Sequence, residues 1–299
     1  MGRKTIANQI HSSLADKIAY GESKHTDKIE QEKKFGESTY KIYSFDTYDT
    51  YRKVGEEYAR WLMDKGVKYG SLAHTERYVK EYIETRLDEG KSLYTLKMER
   101  SALGMIYGHS FDIPLPVRHS KDVTRSRLET ANDKHISRTG KYKDIFTMVT
   151  STGCRRCDAT RLTVNCLVEK NGHYFLDIRK SKGGRDRLAL VHPDKVQEIK
   201  AIIDKAKENG QQKIFEHIPK EIDVHGLRRE YAQALHNTLK NNRKLRDEYL
   251  TYYPPRQEKV KSPYYKDREG NIFERDSVWI ISNCLGHTRI DTSITSYLK

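Results

Sequence analysis

Cysteine is scarce in this chain. Four occur among 299 residues, Cys154, Cys157, Cys166 and Cys284. Cys154-x-x-Cys157 has the spacing of a zinc or redox pair, but no second Cys pair or close His pair supplies the two further ligands of a structural zinc. The thiols are therefore expected as ordinary buried or half-buried residues of a cytoplasmic protein, with no metal and no cofactor. Long apolar runs are missing too. Nothing approaches the length of a membrane span, and no charged-then-apolar leader opens the sequence. Internal repeats and low-complexity tracts are likewise lacking.

Positive charge is in excess. Lys and Arg number 56 against 42 Asp and Glu, a formal net charge of +14. With so many acids interleaved, this describes a folded surface with surplus base. Such a surplus suits a polyanion partner, and nucleic acid before membrane. The length is comfortable for two domains, each with its own core.

Residues 1–45 are polar and mixed in charge and are expected as an N-terminal extension. From Thr47 the pattern turns helical. Tyr51, Val54, Tyr58, Trp61 and Leu62 make one stripe, Val79, Tyr82, Ile83 and Leu87 a second, and Leu96, Leu103, Ile106 and Tyr107 a third. Three amphipathic helices on short connections predict a helical domain over 46–112. Pro114 and Pro116 stiffen the chain and mark the expected domain boundary, with a polar, basic linker over 113–140. The second domain, 141–299, opens with a helix carrying Ile145, Phe146 and Val149. Strands are expected at Leu162–Val168, at Tyr174–Ile178 after the turn signal Asn171-Gly172, and at Leu188–Val191. The fold class is thus mostly α with a small antiparallel sheet, an α+β arrangement. Residues 241–276, rich in Pro and Tyr, are expected as a long inserted loop with a hairpin near Glu269-Gly270-Asn271.

One stretch organises the second domain. Val224-His225-Gly226-Leu227-Arg228 reads as a short strand-like lead, a turn at glycine and then a helix, with Leu227, Tyr231, Leu235 and Leu239 repeating at i+4. His225 and Arg228 share one side of that helix, a cation pair beside a helix N-terminus. Around it lie Arg155 after the break at Thr152-Gly153, Lys182 in a basic glycine-rich tip, His287 after Leu285-Gly286, and Tyr297.

This order resembles the tyrosine recombinase (phage integrase) family. Thr152-Gly153-Cys154-Arg155-Arg156-Cys157-Asp158 looks like its first-arginine box, and Lys182-Gly183-Gly184-Arg185-Asp186-Arg187-Leu188 like its β-hairpin lysine segment. His225-Gly226-Leu227-Arg228 is similar to its His-x-x-Arg box, and Leu285-Gly286-His287 followed by Tyr297 to its closing box. The bundle at 46–112 resembles the family's core-binding domain. Arg156 and Arg161 compete with Arg155, and Lys180 with Lys182, on proximity alone.

These residue types suit attack on a phosphodiester. Two guanidinium groups hold the non-bridging oxygens and the charge that grows on them. A tyrosine hydroxyl forms a covalent phosphotyrosine once its proton is removed. A lysine at a hairpin tip serves as general acid, and imidazoles exchange protons or bond the phosphate. The resemblance therefore implies that Tyr297 attacks, Arg155 and Arg228 clamp the phosphate, Lys182 protonates the leaving 5′-oxygen, His225 assists proton transfer and His287 bonds the phosphate. It further implies double-stranded DNA as partner, a homo-tetramer on paired sites, an accessory DNA-bending or excision factor, and integration or excision of a mobile element in a bacterial cytoplasm or nucleoid. A type IB topoisomerase-like relaxing enzyme and a non-catalytic basic DNA-binding protein are the other readings. The 59 residues from Arg228 to His287 (287 − 228) exceed the family's usual gap, and only Leu298 and Lys299 follow Tyr297.

Overall fold

A computed structural model describes residues 5–34, 37–67, 70–117, 136–182, 184–255, 262–267 and 269–298. Most of the expected linker, Gly183 of the lysine tip and part of the 241–276 segment lie outside the described residues. The chain divides into two compact units, Met1–Thr124 and Arg125–Lys299. No helix among the described residues is long and apolar enough to cross a membrane.

The first unit is helical: α1 (Ile6–Ala15), α2 (Lys24–Glu30), α3 (Phe45–Asp64), α4 (Leu72–Thr75), α5 (Val79–Asp88) and α6 (Leu93–Tyr107). Side chains of Thr5, Ser44 and Ser92 accept backbone N–H bonds at the starts of α1, α3 and α6, satisfying donors the helix leaves unpaired. The core joins Val54, Tyr58 and Leu62 of α3 to Val79, Tyr82 and Ile83 of α5 and Leu103 and Ile106 of α6. Residues 1–45 are more than a polar extension. Ile6, Ile10 and Leu14 of α1 are buried in that same core, because a spacing of four brings all three onto one face. Ile113, between the charged Asp112 and Pro114, is buried there as well.

The second unit contains α7 (Lys143–Thr152), α8 (Arg156–Ala159), β1 (Leu167–Lys170), β2 (His173–Ile178), β3 (Arg187–Leu190), α9 (Val196–Glu208), α10 (Val224–Asn241), α11 (Arg243–Leu250), β4 (Tyr264–Lys266), β5 (Ile272–Glu274), α12 (Arg275–Leu285) and α13 (Ile290–Ser293). A π-helical turn, Ile294–Leu298, follows α13. The sheet is antiparallel in the order β1-β2-β3, with Leu167 opposite Leu176 and Phe175 opposite Leu190. The first strand starts later than expected. Residues 162–164 pair instead with the segment after α9, through Ile214 N to Leu162 O and Val164 N to Gln212 O.

Helix α10 runs through the middle of this unit. Leu227 packs in one cluster with α7, α9 and the sheet, while Tyr231, Leu235 and Leu239 pack in another with α12. All four are fully buried. The strand-like lead before it is absent. The Asp223 carboxylate accepts from Gly226 N at 3.1 Å, so the helix already begins at Val224 and Gly226 lies in its first turn. The described residues of the 241–276 segment form more than a loop, with α11, β4 and β5 among them. Tyr249 and Tyr253 are buried, Tyr252 and Tyr253 donate to Lys170 O and Leu188 O at 3.1 Å each, and β4 and β5 form a hairpin around Asp267–Asn271.

Candidate active site

Helix α7 stops at Gly153, whose φ of +61° is left-handed and accessible to glycine. The space is closed as well. A Cβ there would stand 2.8 Å from Tyr231 Cε1 and 2.9 Å from Leu285 Cδ2. The Gly153 carbonyl accepts from Arg228 Nη1. Gly153→Ala is expected to destabilise the unit by roughly 2–5 kcal/mol, the sum of a left-handed backbone penalty and overpacking. Urea unfolding monitored by circular dichroism measures it.

The turn at Gly153 sends two adjacent arginines to different places. Arg155, at the start of α8, donates from Nη1 to Ser181 Oγ at 3.0 Å and from Nη2 to Gly286 O at 3.1 Å. Its backbone N–H is held by Asp158 Oδ2 at 3.1 Å. Arg156 instead donates to the carbonyls of Ile218, Pro219 and Ile222, pinning the segment that leads into α10. Arg161 donates to Lys180 O at 2.8 Å, a structural tether under the hairpin.

In the first turn of α10, Arg228 is 3% exposed. It donates to Gly153 O, to Leu285 O at 3.1 Å and, through Nε, to Tyr297 Oη at 3.4 Å. Among the described residues no carboxylate pairs with it. His225, three residues earlier on the same helix, brings Nδ1 within 3.2 Å of the same phenol oxygen, its ring centroid 4.8 Å from that of Tyr297. Because a guanidinium only donates, the phenol oxygen accepts from Arg228, and its own proton is free to go to His225 Nδ1.

Helix α12 ends at Gly286, at φ +71°. A Cβ there would meet Arg155 Nη1 at 2.9 Å and Arg187 Cδ at 3.0 Å, so only glycine lets both arginines reach this backbone. His287 follows, its Nδ1 held 2.8 Å from Ser293 Oγ, which in turn accepts from Ser282 Oγ. Tyr297 sits in the π-helical turn, 5% exposed, its ring 5.2 Å from that of His287. π-Turns of this kind often occur at functional sites.

Arg155, Lys182, His225, Arg228, His287 and Tyr297 all line one open cleft of about 670 Å³. Lys182 is exposed at its mouth, as a residue of a hairpin tip should be. A smaller cavity of about 150 Å³ adjoins it, sharing Arg155, Lys182 and His287 and adding Arg187. Arg187 received no role from the sequence, yet its side chain is only 8% exposed. The signal was its register. In a strand it shares a face with Ala189, and Ala189 is buried. Ser181 and Ser293 were missed as well, since a lone serine carries no pattern. Cys154, Cys166 and Cys284 are buried and Cys157 exposed, all as free thiols. No group of three or more His, Cys, Asp or Glu side chains among the described residues is arranged around a metal position.

The electrostatics suit an anion. Burial, and then the charges of Arg228 and Arg187, lower the Arg155 guanidinium to about 10, so it stays charged but under mutual repulsion. The same causes, burial first and then Arg228, Arg155, Arg187 and His225, depress His287 to about 3. Asp158 is pushed up by burial, but Arg187 and its hydrogen bonds outweigh this and hold it below its usual range. Packed cations of this kind favour negative charge beside them.

His287 carries a testable sign. Its folded pKa lies below the unfolded value of about 6.5, so between about 6.5 and 3 the unfolded chain binds a proton that the folded chain refuses. Stability from this residue is complete above pH 6.5 and is lost as pH falls through that window. His287→Gln is therefore expected to show a shallower loss of unfolding free energy than the parent between pH 6.5 and 4. Urea titrations across that range compare the two.

The fold is that of the tyrosine recombinases. A solved structure of XerH site-specific recombinase bound to palindromic difH substrate, in a post-cleavage complex, superposes with a TM-score of 0.54 at 14% identity, covering 97% of this chain and 90% of that one. A pre-cleavage complex of XerH with difH gives 0.50 at 14% identity and the same coverage. No family model and no curated protein matches the chain. The likeness is one of fold.

Proposed function

We propose that this protein is a site-specific DNA recombinase that cuts and rejoins strands through Tyr297. The supporting observation is that one phenol oxygen lies between a proton acceptor, His225, and a buried arginine lacking a carboxylate partner among the described residues, Arg228, in a cleft also lined by Arg155, Lys182 and His287. The phenol proton passes to His225 while the Tyr297 oxygen bonds to phosphorus. The bond from phosphorus to the 5′-oxygen breaks, and Lys182 supplies the proton that oxygen needs. Arg155, Arg228 and His287 hold the non-bridging oxygens, whose charge grows in the transition state. A 3′-phosphotyrosine and a free 5′-hydroxyl result. Attack by a second 5′-hydroxyl reverses the step on another strand, with no ATP because the bond energy is retained. In this reading four copies act on two DNA sites, with an accessory DNA-bending or excision factor as partner, and the substrate is a mobile element.

The test uses duplexes from the DNA flanking the encoding gene, nicked so that the cleaved strand diffuses away. A covalent protein–DNA adduct on a denaturing gel is expected without added nucleotide. Tight, salt-sensitive binding with no adduct on any such duplex would make the chain a DNA-binding protein without turnover.

A further inference from the structure

We propose that Arg187 is a positioning residue for strand cleavage, tying the Lys182 hairpin to the Arg155 turn and to the end of α12. The inference rests on the proposed cleavage reading and adds a residue to it. Arg187 touches one partner from each of three segments. Its Nη2 donates to Asp158 Oδ2 at 2.9 Å, its Nη1 to Ser181 Oγ at 2.7 Å and its Nε to Cys284 O at 3.1 Å. Asp158 holds the Arg155 backbone, Ser181 directly precedes Lys182, and Cys284 lies two residues before the Gly286 carbonyl that Arg155 grips.

Ser181 is the shared joint. It is 5% exposed, and its oxygen accepts from both Arg155 and Arg187. Both lone pairs are thereby used, and its own proton is left for Asp158. Asp158, with a fully buried side chain, needs a cation. Arg187 meets that need at 2.9 Å while Arg155 stands off at 3.9 Å with its fork directed to Ser181 and Gly286. Without Arg187 the buried carboxylate draws on Arg155, and the base of the hairpin loses its anchor to the site. Lys182 then no longer stands where the leaving 5′-oxygen needs its proton. Arg187 itself need not touch the phosphate to have this effect.

The test is single-turnover cleavage of two nicked duplexes, one ordinary and one with sulfur replacing the bridging 5′-oxygen. A thiolate leaves without protonation, so the second duplex does not need a placed acid. Arg187→Met is expected to cleave the ordinary duplex about 100-fold slower, the lower range of what a general acid supplies. It should recover most of that loss on the sulfur duplex, with DNA affinity little changed. Ser181→Ala, which leaves the ion pair to Asp158 in place, should show the same selective recovery to a smaller degree and keeps the test open if the methionine variant folds poorly. Equal slowing on both duplexes, or parental rates on the ordinary one, overturns the inference. Absence of any adduct from the parent protein instead rejects the cleavage reading on which it rests.

Discussion

Tyr297→Phe is expected to abolish covalent capture of DNA while leaving affinity for the same duplex near that of the parent. The substitution removes one oxygen and leaves the ring. That ring keeps its contacts with His225 at 4.8 Å and His287 at 5.2 Å, and Arg228 Cζ remains 5.4 Å from its centroid. Two hydrogen bonds disappear, but Arg228 stays tethered to Gly153 O and Leu285 O. The stability cost is therefore about 2 kcal/mol, about 1 for each hydrogen bond lost. The chemical cost is of another order. No phosphotyrosine forms without the phenol oxygen, so the single-turnover rate should fall by at least about 10⁴-fold. Gel-based capture on nicked duplexes measures the rate, and fluorescence anisotropy the affinity. An adduct at the parental rate would assign the nucleophile elsewhere.

Arg228 carries the second large effect. Its guanidinium is buried and spans two backbone carbonyls and the phenol, so it fixes α7, α12 and Tyr297 together. Lysine keeps the charge but not the planar fork, and cannot serve all three partners. Losing a preorganised donor at a developing charge costs about 10²–10³ in rate. Here the same change also releases the nucleophile, so Arg228→Lys should slow cleavage by at least about 10³-fold. Affinity should change little, because binding draws on many cations spread over a chain of net charge +14. Binding and cleavage measured at one salt concentration separate the two. A loss of affinity alone, with cleavage at saturating protein intact, would make Arg228 an ordinary DNA contact.

Much of the candidate site was legible because its residues sit at points where the backbone changes direction. Arg155 follows a helix-ending glycine, His287 follows another, and His225 and Arg228 lie in the first turn of a strongly periodic helix. All six residues singled out from the sequence line one cleft. What could not be read is what each arginine bonds. Arg155 and Arg156 are neighbours of identical chemistry, and only the left-handed turn at Gly153 and the carbonyls of 218–222 separate their fates. Arg187 looked like one more charge on a basic hairpin, because its partners Asp158 and Cys284 lie 29 and 97 residues away.

The same limit applies to the fold. The apolar face of α1 is three residues in a polar stretch, meaningful only once α3 and α6 are there to cover it. The tyrosines at 249, 252 and 253 fall in a stretch expected as a long loop. They are used to fasten α11 to the sheet, with partners 82 and 65 residues away for Tyr252 and Tyr253. A helix stripe is local and shows in the sequence; a partner across such a separation does not.

The most direct measurement is the chemical identity of the trapped link. Protease and nuclease digestion of the adduct, followed by mass spectrometry, is expected to give a peptide containing Tyr297 joined to a nucleotide through its 3′-phosphate. A link through any other residue, or through a 5′-phosphate, would contradict the assignment of Tyr297 as the nucleophile that cuts and rejoins DNA.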